Sequence, residues 1–182
     1  MRKVTLGLAN SLDNYIARKD GGADWLRWTP EIAEISSAFM KTVDAILIGR
    51  KTYEVMLKSN QTSYPGAMNY VFTRSPRHAA RFGKAVAGRE GTVEIVTADV
   101  ALFVRRMKKK KGKGIVVFGG GALAQSLFEH DLIDEVVLNV HPILLGSGIP
   151  LFHELTHQID LKLISCRPLK TGSVVLSYLV KH

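Results

Sequence analysis

The sequence predicts an α/β fold on a mixed, mostly parallel sheet. Three observations carry that expectation. Short apolar runs alternate with segments whose apolar residues recur at helical spacing, the pattern of parallel strands joined by right-handed crossovers. Two of those runs, residues 45–48 and 115–118, end in glycine just where a helix begins. The last two runs, residues 161–167 and 173–180, flank Lys170-Thr171-Gly172 and read as an antiparallel hairpin, which makes the sheet mixed.

Taken in order, residues 4–9 read as the first strand. Residues 10–28 form a long connection holding Asp20-Gly21-Gly22, Trp25 and Trp28, and such length inside a compact domain often marks function. Thr29 and Pro30 open a helix, a capping hydroxyl followed by proline at the first helical position. Ile32, Ile35 and Phe39 then share one face. Residues 42–48 are a strand and 51–57 a helix; residues 70–73 are a strand, and 76–91 are irregular or partly helical. After a strand at 92–97, Asp99 caps a helix running to about residue 110. A strand at 115–118, a helix at 122–129 and a strand at 134–140 lead to the hairpin.

The 182 residues suit one domain, 1–182, with a substantial core. With 46% hydrophobic and 23% charged residues, disorder is excluded. A lone Cys166 forms no internal disulfide, so a cytoplasmic location is expected. The apolar start is broken at Asn10, Asp13 and Asn14, too early for a signal peptide, and no apolar run approaches the ~20 residues of a membrane span. Much of the net charge of +9 sits in residues 105–113. No aromatic residue is interleaved there for base stacking, so the run reads as a solvated helix end rather than a nucleic-acid surface. A basic surface still steers an anionic cofactor.

Each glycine junction puts unpaired backbone N–H groups at a helix start, where the macrodipole favours an anion. A dinucleotide has phosphates for both. Arg50-Lys51-Thr52 opens the helix after Gly49, and cations there oppose the macrodipole unless an anion lies in front of them. Side by side they suit a doubly charged 2′-phosphate, which favours NADPH over NADH. Gly119-Gly120-Gly121-Ala122-Leu123-Ala124 lacks the last glycine of G-x-G-x-x-G but still permits close approach to a ligand. His153-Glu154-Leu155-Thr156-His157 fits H-E-x-x-H. Pro150 just upstream and a strand from about residue 161 leave little room for the helix that zinc chemistry needs. A zinc hydrolase is therefore the weak alternative, and no metal is expected. His78, His130 and His141 show no ligand spacing.

Leu8-Ala9-Asn10-Ser11-Leu12-Asp13-Asn14-Tyr15-Ile16-Ala17 resembles the first strand and loop of dihydrofolate-reductase-like proteins. Gly49-Arg50-Lys51-Thr52-Tyr53-Glu54 and Phe118-Gly119-Gly120-Gly121-Ala122-Leu123 are similar to that family's two cofactor segments. Residues 132–136 and 142–152 resemble the reductase domain of the riboflavin-biosynthesis deaminase-reductase. The resemblance spans nearly the whole chain and implies a three-layer α/β/α fold and an NADPH-dependent, stand-alone reductase. By position it places Ala9 and Ile16 beside the nicotinamide and Gly49, Arg50, Lys51 and Thr52 on phosphate. It puts Thr73, Arg74 and Ser75 at the adenosine ribose and 2′-phosphate. Phe118, Gly119, Gly120, Gly121, Ala122 and Leu123 then cover the pyrophosphate and nicotinamide side.

A pterin-like or aminopyrimidine substrate is implied, in the manner of a 5-amino-6-(5-phosphoribosylamino)uracil reductase, and so is a homodimer. Folate is disfavoured, because residues 55–69 hold only Lys58 as a cation for its glutamate tail. Glu31 is one candidate catalytic acid: at ~100° per residue it lies about 70° from the Ile32 face, against about 130° for Glu34. Asp13 is the other, and each has an ordinary alternative, helix-dipole complement for Glu31 and a turn aspartate for Asp13. Trp25 and Trp28 either stack on the substrate or anchor their loop. The second function class is a nucleotide-binding module without catalysis.

Overall fold

In the computed structural model, which describes residues 1–87, 92–119 and 121–182, the alternating signals become a sheet covered on both faces. The elements are β1 (Val4–Ser11), β2 (Tyr15–Ala17), α1 (Pro30–Met40), β3 (Val43–Gly49), α2 (Arg50–Lys58), β4 (Met68–Phe72), α3 (Pro76–Ala85) and β5 (Val93–Val96). There follow α4 (Val100–Lys109), β6 (Gly114–Phe118), α5 (Gly121–Phe128), β7 (Glu135–His141), β8 (Ile149–Pro150), β9 (Leu161–Pro168) and β10 (Val174–Val180). Among the described residues eight strands form one sheet in the order β5-β4-β3-β6-β1-β7-β10-β9. Neighbours from β5 to β7 pair in parallel, and β10 pairs antiparallel with both β7 and β9. The mixed sheet with its terminal hairpin is thus the predicted one.

Period-two alternation divides the strands between two cores. Val4, Leu6, Ala45, Leu47, Ile115 and Val117 face α4 and α5, meeting Val104, Met107, Leu127 and Phe128. Ile46, Ile48, Val71 and Val116 face the other way, onto Phe39 of α1, Tyr53 and Met56 of α2 and Phe82 of α3. Capping follows the sequence signals closely. The Thr29 hydroxyl accepts from Ile32 N, Ser75 from His78 N and Asp99 from Leu102 N.

Two local expectations change, and the weak zinc alternative loses its scaffold. The connection over residues 10–28 carries β2, which pairs with the two-residue β8 and pins the loop to residues 149–150. Residues 76–85 are a regular helix; residues 88–91 at the end of that expected segment lie outside the described residues. Residues 151–160 form no helix, so His153 and His157 share no helical face and the H-E-x-x-H reading has no scaffold. Among the described residues no group of three metal-ligating side chains is gathered.

The basic run lies at the amino ends of the parallel strands. Lys108 is buried, and its Nζ donates to both Asp134 carboxylate oxygens at 2.7 Å, while Val4 N donates to Asp134 Oδ2 at 2.7 Å. Lys113 N donates to Asp44, which also pairs with Arg2. Part of the run is therefore an internal tie between α4 and the sheet. Among the described residues no helix is long and apolar enough to cross a membrane.

Candidate functional site

A cleft of about 1580 Å³ crosses the carboxyl ends of the parallel strands, where α/β sheets take their ligands. Its first half rests on the two glycine junctions. β3 and β6 are sheet neighbours with Ile48 opposite Phe118, so Gly49 and Gly119 come side by side. Gly49 precedes α2 in extended conformation and offers no side-chain cap, and the first turn of α2 holds no acid. Gly49, Arg50, Lys51 and Thr52, which carry the uncapped N–H groups of this start, line the cleft. Gly119 has φ +67°, and a Cβ on it would stand 2.5 Å from Thr52 Oγ1, so the two junctions touch. A Cβ on Gly121 would overlap the imidazole of His153, which covers the start of α5. Gly120 lies outside the described residues.

Electrostatics on this side centre on Glu54. Its carboxylate accepts from Arg50 at 2.9 Å and Arg81 at 2.8 Å, and His78 Nε2 stands 3.4 Å away. Glu54 thus fixes three nitrogen-bearing side chains beside the cleft, of which Arg50 and His78 line it. Thr73 and Ser75 line it too, with their hydroxyls engaged: Thr73 Oγ1 accepts from Ser75 N, and Ser75 caps α3. Arg74 between them is exposed. Cations, bare glycine backbone and a free helix start fit a dinucleotide phosphate chain with an added phosphate on its ribose.

The second half is apolar. Gly7 and Ala9 of β1, Phe118 of β6, Val137 and Asn139 of β7 and Val175 of β10 form its floor, and Ile32, Ile35 and Phe39 of α1 its wall. Trp28, 71% exposed, stands at the entrance. Asn139 Nδ2 lies 3.3 Å from His141 Nε2. Burial holds the His141 imidazole below its ordinary value, and Arg27 adds in the same direction.

Of the residues singled out from the sequence, Ala9, Ile16, Gly49, Arg50, Lys51, Thr52, Thr73, Arg74, Ser75, Phe118, Gly119, Gly121, Ala122, Leu123 and Trp28 all line this one cleft. Three do not. Glu31 turns to the hairpin, where Oε2 accepts from Lys170 N at 3.1 Å and Oε1 lies 3.6 Å from Arg167. Asp13 is tied off by Ser11 Oγ at 2.6 Å, Leu145 N at 3.1 Å and Gly146 N at 2.7 Å. Those bonds, the Ser11 hydroxyl first, hold its carboxyl below the usual range. Both candidate acids therefore brace loops. Trp25 is buried edge-on against His141 with ring centroids 5.4 Å apart, and it anchors the loop. Asn139 and Arg81 were not anticipated, and His78 and His153 were weighed only as metal ligands. Asn139 alone left a trace, a polar residue at an inward position of a strand.

The RibD C-terminal domain family model matches residues 2–175. The uncharacterized protein YwjB of Bacillus subtilis (strain 168) is 38% identical over 164 residues, 89% of this chain and 89% of its own. The riboflavin biosynthesis protein RibD of Corynebacterium ammoniagenes is 30% identical over 167 residues, 86% of this chain and 48% of RibD. Dihydrofolate reductase from Enterococcus faecalis, complexed with NADP(H), superposes with a TM-score of 0.70 at 15% identity over 99% of this chain and 97% of its own. The fold is dihydrofolate-reductase-like.

Proposed function

Because this chain belongs to the RibD C-terminal domain family, we propose that it is an NADPH-dependent reductase of a pterin-like or aminopyrimidine heterocycle. One observation carries the reading. Two glycine junctions, 70 positions apart from Gly49 to Gly119, meet at one cleft beside Arg50 and Lys51. NADPH supplies the reducing equivalent when bound. The chain's residues bind and orient it: the starts of α2 and α5 face its phosphates, Arg50, Arg74 and His78 its ribose phosphate, and Ala9 and Ile16 its ring. Reductase relatives of this fold, including the bifunctional deaminase/uracil reductase of Thermotoga maritima, support the activity class by analogy of fold.

No acidic side chain lines the apolar half among the described residues. That favours solvent as the proton source, and it also keeps the nucleotide-binding module as a second reading. Titration with NADPH and, separately, NADH, followed by tryptophan fluorescence, tests the cofactor assignment, since Trp28 stands at the cleft entrance. NADPH-selective quenching is expected, and no response to either nucleotide would sink the proposal. Oxidation of NADPH by a pterin or aminopyrimidine separates reductase from binding module.

A homodimer is part of the same proposal. β9 is an edge strand exposed along its whole length, with Leu163 at 52% and Ile164 at 54% exposed. Unpaired apolar edges are what proteins cover by pairing. Sedimentation is expected to give a dimer that Leu163→Lys with Ile164→Lys converts to a folded monomer; a dimer that survives both changes places the interface elsewhere.

A further inference from the structure

Residues 18–28 wall part of the cleft through Gly21, Ala23, Leu26 and Trp28. The segment is closed on itself. Arg18 N donates to Gly22 O, Gly21 N to Arg18 O and Leu26 N to Ala23 O, and the Arg18 guanidinium pairs with Asp24. Among the described residues, every hydrogen bond made by residues 18–28 ends inside the segment. Its ends are fixed, by β2 on β8 before it and by the Thr29 cap of α1 after it. Between them Trp25 is the one buried residue of the segment. It stands edge-on against His141 at the end of β7, with the two ring planes at 86°. This single ring contact seats the wall on the sheet.

The seat suits a neutral imidazole. His141 is buried, its Nε2 lies 3.3 Å from the Asn139 amide, and its Nδ1 has no hydrogen-bond partner. With that amide turned over, Asn139 Oδ1 accepts from Nε2–H and Nδ1 keeps only a lone pair. An imidazolium carries protons on both nitrogens, so Nδ1–H would become a buried donor without an acceptor, on a buried charge. The charged side chains on the surrounding elements do not offset this. Arg27 of the same segment disfavours a second positive charge. Asp24 pairs with Arg18, and Asp13 after β1 is bonded to Ser11, Leu145 and Gly146. Glu31 of α1 accepts from Lys170 N in the hairpin turn. Burial first, and Arg27 second, therefore hold the imidazole below its ordinary value. Trp25 Nε1 is also buried and unpartnered, so ring packing holds the contact with no hydrogen bond to lock it.

We infer that His141 is a positioning residue of the cleft: its neutral ring seats Trp25 and so holds residues 18–28 in place as a wall, and protonation of that ring releases them. Once Trp25 lifts away, water reaches the imidazolium and solvates it, so the charged form belongs to the open wall. The open wall leaves the imidazole at its ordinary value of about 6.5, and the seated wall holds it lower. The seat is thus at full strength above about pH 6.5 and weakens as pH falls below it. Each pH unit shifts the seating equilibrium by up to about tenfold, until the lower value is passed. The seat needs no occupant in the cleft, so it stands apart from the cofactor reading.

Acrylamide quenching of the full, ligand-free chain carrying Trp28→Phe, which leaves Trp25 as its only tryptophan, reads the seat directly. Between about pH 8 and about pH 5 the quenching constant is expected to rise about threefold or more, with the far-UV circular dichroism unchanged. His141→Phe on that background keeps a buried ring that takes no proton, and it should hold Trp25 shielded throughout. His141→Gln, which does not titrate either, should show one quenching constant at every pH. Arg27→Gln, on an exposed side chain, should shrink the rise because one repulsion is removed. No rise in the Trp28→Phe chain, or a rise that survives in either His141 variant, would overturn the inference. So would a rise that comes only with loss of the far-UV signal. A fall in emission without a gain in acrylamide access would mean that Trp25 stays on the imidazolium as a cation–π pair, and would overturn it as well. Failure of NADPH to bind would leave all of these outcomes as they are and would count against the cofactor reading alone.

Discussion

Arg50→Ala is expected to weaken NADPH binding roughly tenfold to a hundredfold, the worth of a charge-assisted hydrogen bond of about 1.5–3 kcal/mol, and to leave NADH within about threefold. Arg50 lines the cleft at the start of α2, and Glu54 Oε2 holds its guanidinium at 2.9 Å. Its pairing with Glu54 is partly exposed and worth little by itself, so loss of that contact does not explain a selective effect. Without Arg50, Glu54 keeps Arg81 and His78, but its negative charge beside a bound phosphate is less compensated. Repulsion then adds to the lost attraction, and only for the nucleotide that carries the 2′-phosphate. Arg50→Lys keeps the charge without the planar fork and should fall between the two. Added salt should narrow the gap between NADPH and NADH in the unaltered chain. Equal losses for both nucleotides on Arg50→Ala would remove the 2′-phosphate from this end of the cleft.

The residues proposed to bind phosphate were legible because their signal is local. Glycine after an apolar run, followed by a helix, needs no knowledge of the rest of the chain, and Gly49 and Gly119 declared themselves that way. Their adjacency did not, because it depends on β3 and β6 being neighbours, a pairing over some seventy positions. The hairpin at β9 and β10 was visible from its turn, where Gly172 takes φ +83°. Its consequence for Glu31 was hidden. The helical wheel placed Glu31 at the border of the apolar face, and the returning hairpin decides that this border meets Lys170 and Arg167 instead of the cleft. Asp13 shows the converse error. Its turn chemistry was readable as an ordinary alternative, yet the loop over residues 142–148 that completes its hydrogen bonding lies more than a hundred positions away. The strands β2 and β8, of three and two residues, are too short to show periodicity at all.

The close contact of the two junctions makes a second large effect testable. Gly119→Ala forces a side chain into left-handed backbone at φ +67° and drives its Cβ to 2.5 Å from Thr52 Oγ1 and 2.9 Å from Thr52 Cγ2. Left-handed backbone costs a residue with a Cβ about 1–2 kcal/mol and overpacking a further 1–3, so a loss of roughly 2–5 kcal/mol is expected. In a chain of this size that is a fall in Tm of about 5–15 °C by calorimetry. Thr52→Ala removes both of the close atoms and leaves Thr52 Cβ at 3.2 Å, a contact that small shifts relieve. The double variant should therefore recover the overpacking part and keep the backbone part, ending about 1–2 kcal/mol below Thr52→Ala alone. This cycle distinguishes contact from conformation. Full additivity would mean that Gly119 and Thr52 do not touch, and then the α2 start and the β6 end would not form one phosphate cradle. Non-additivity of the expected size, with NADPH binding weakened in Gly119→Ala beyond its stability loss, ties the cradle to the side chain that glycine lacks.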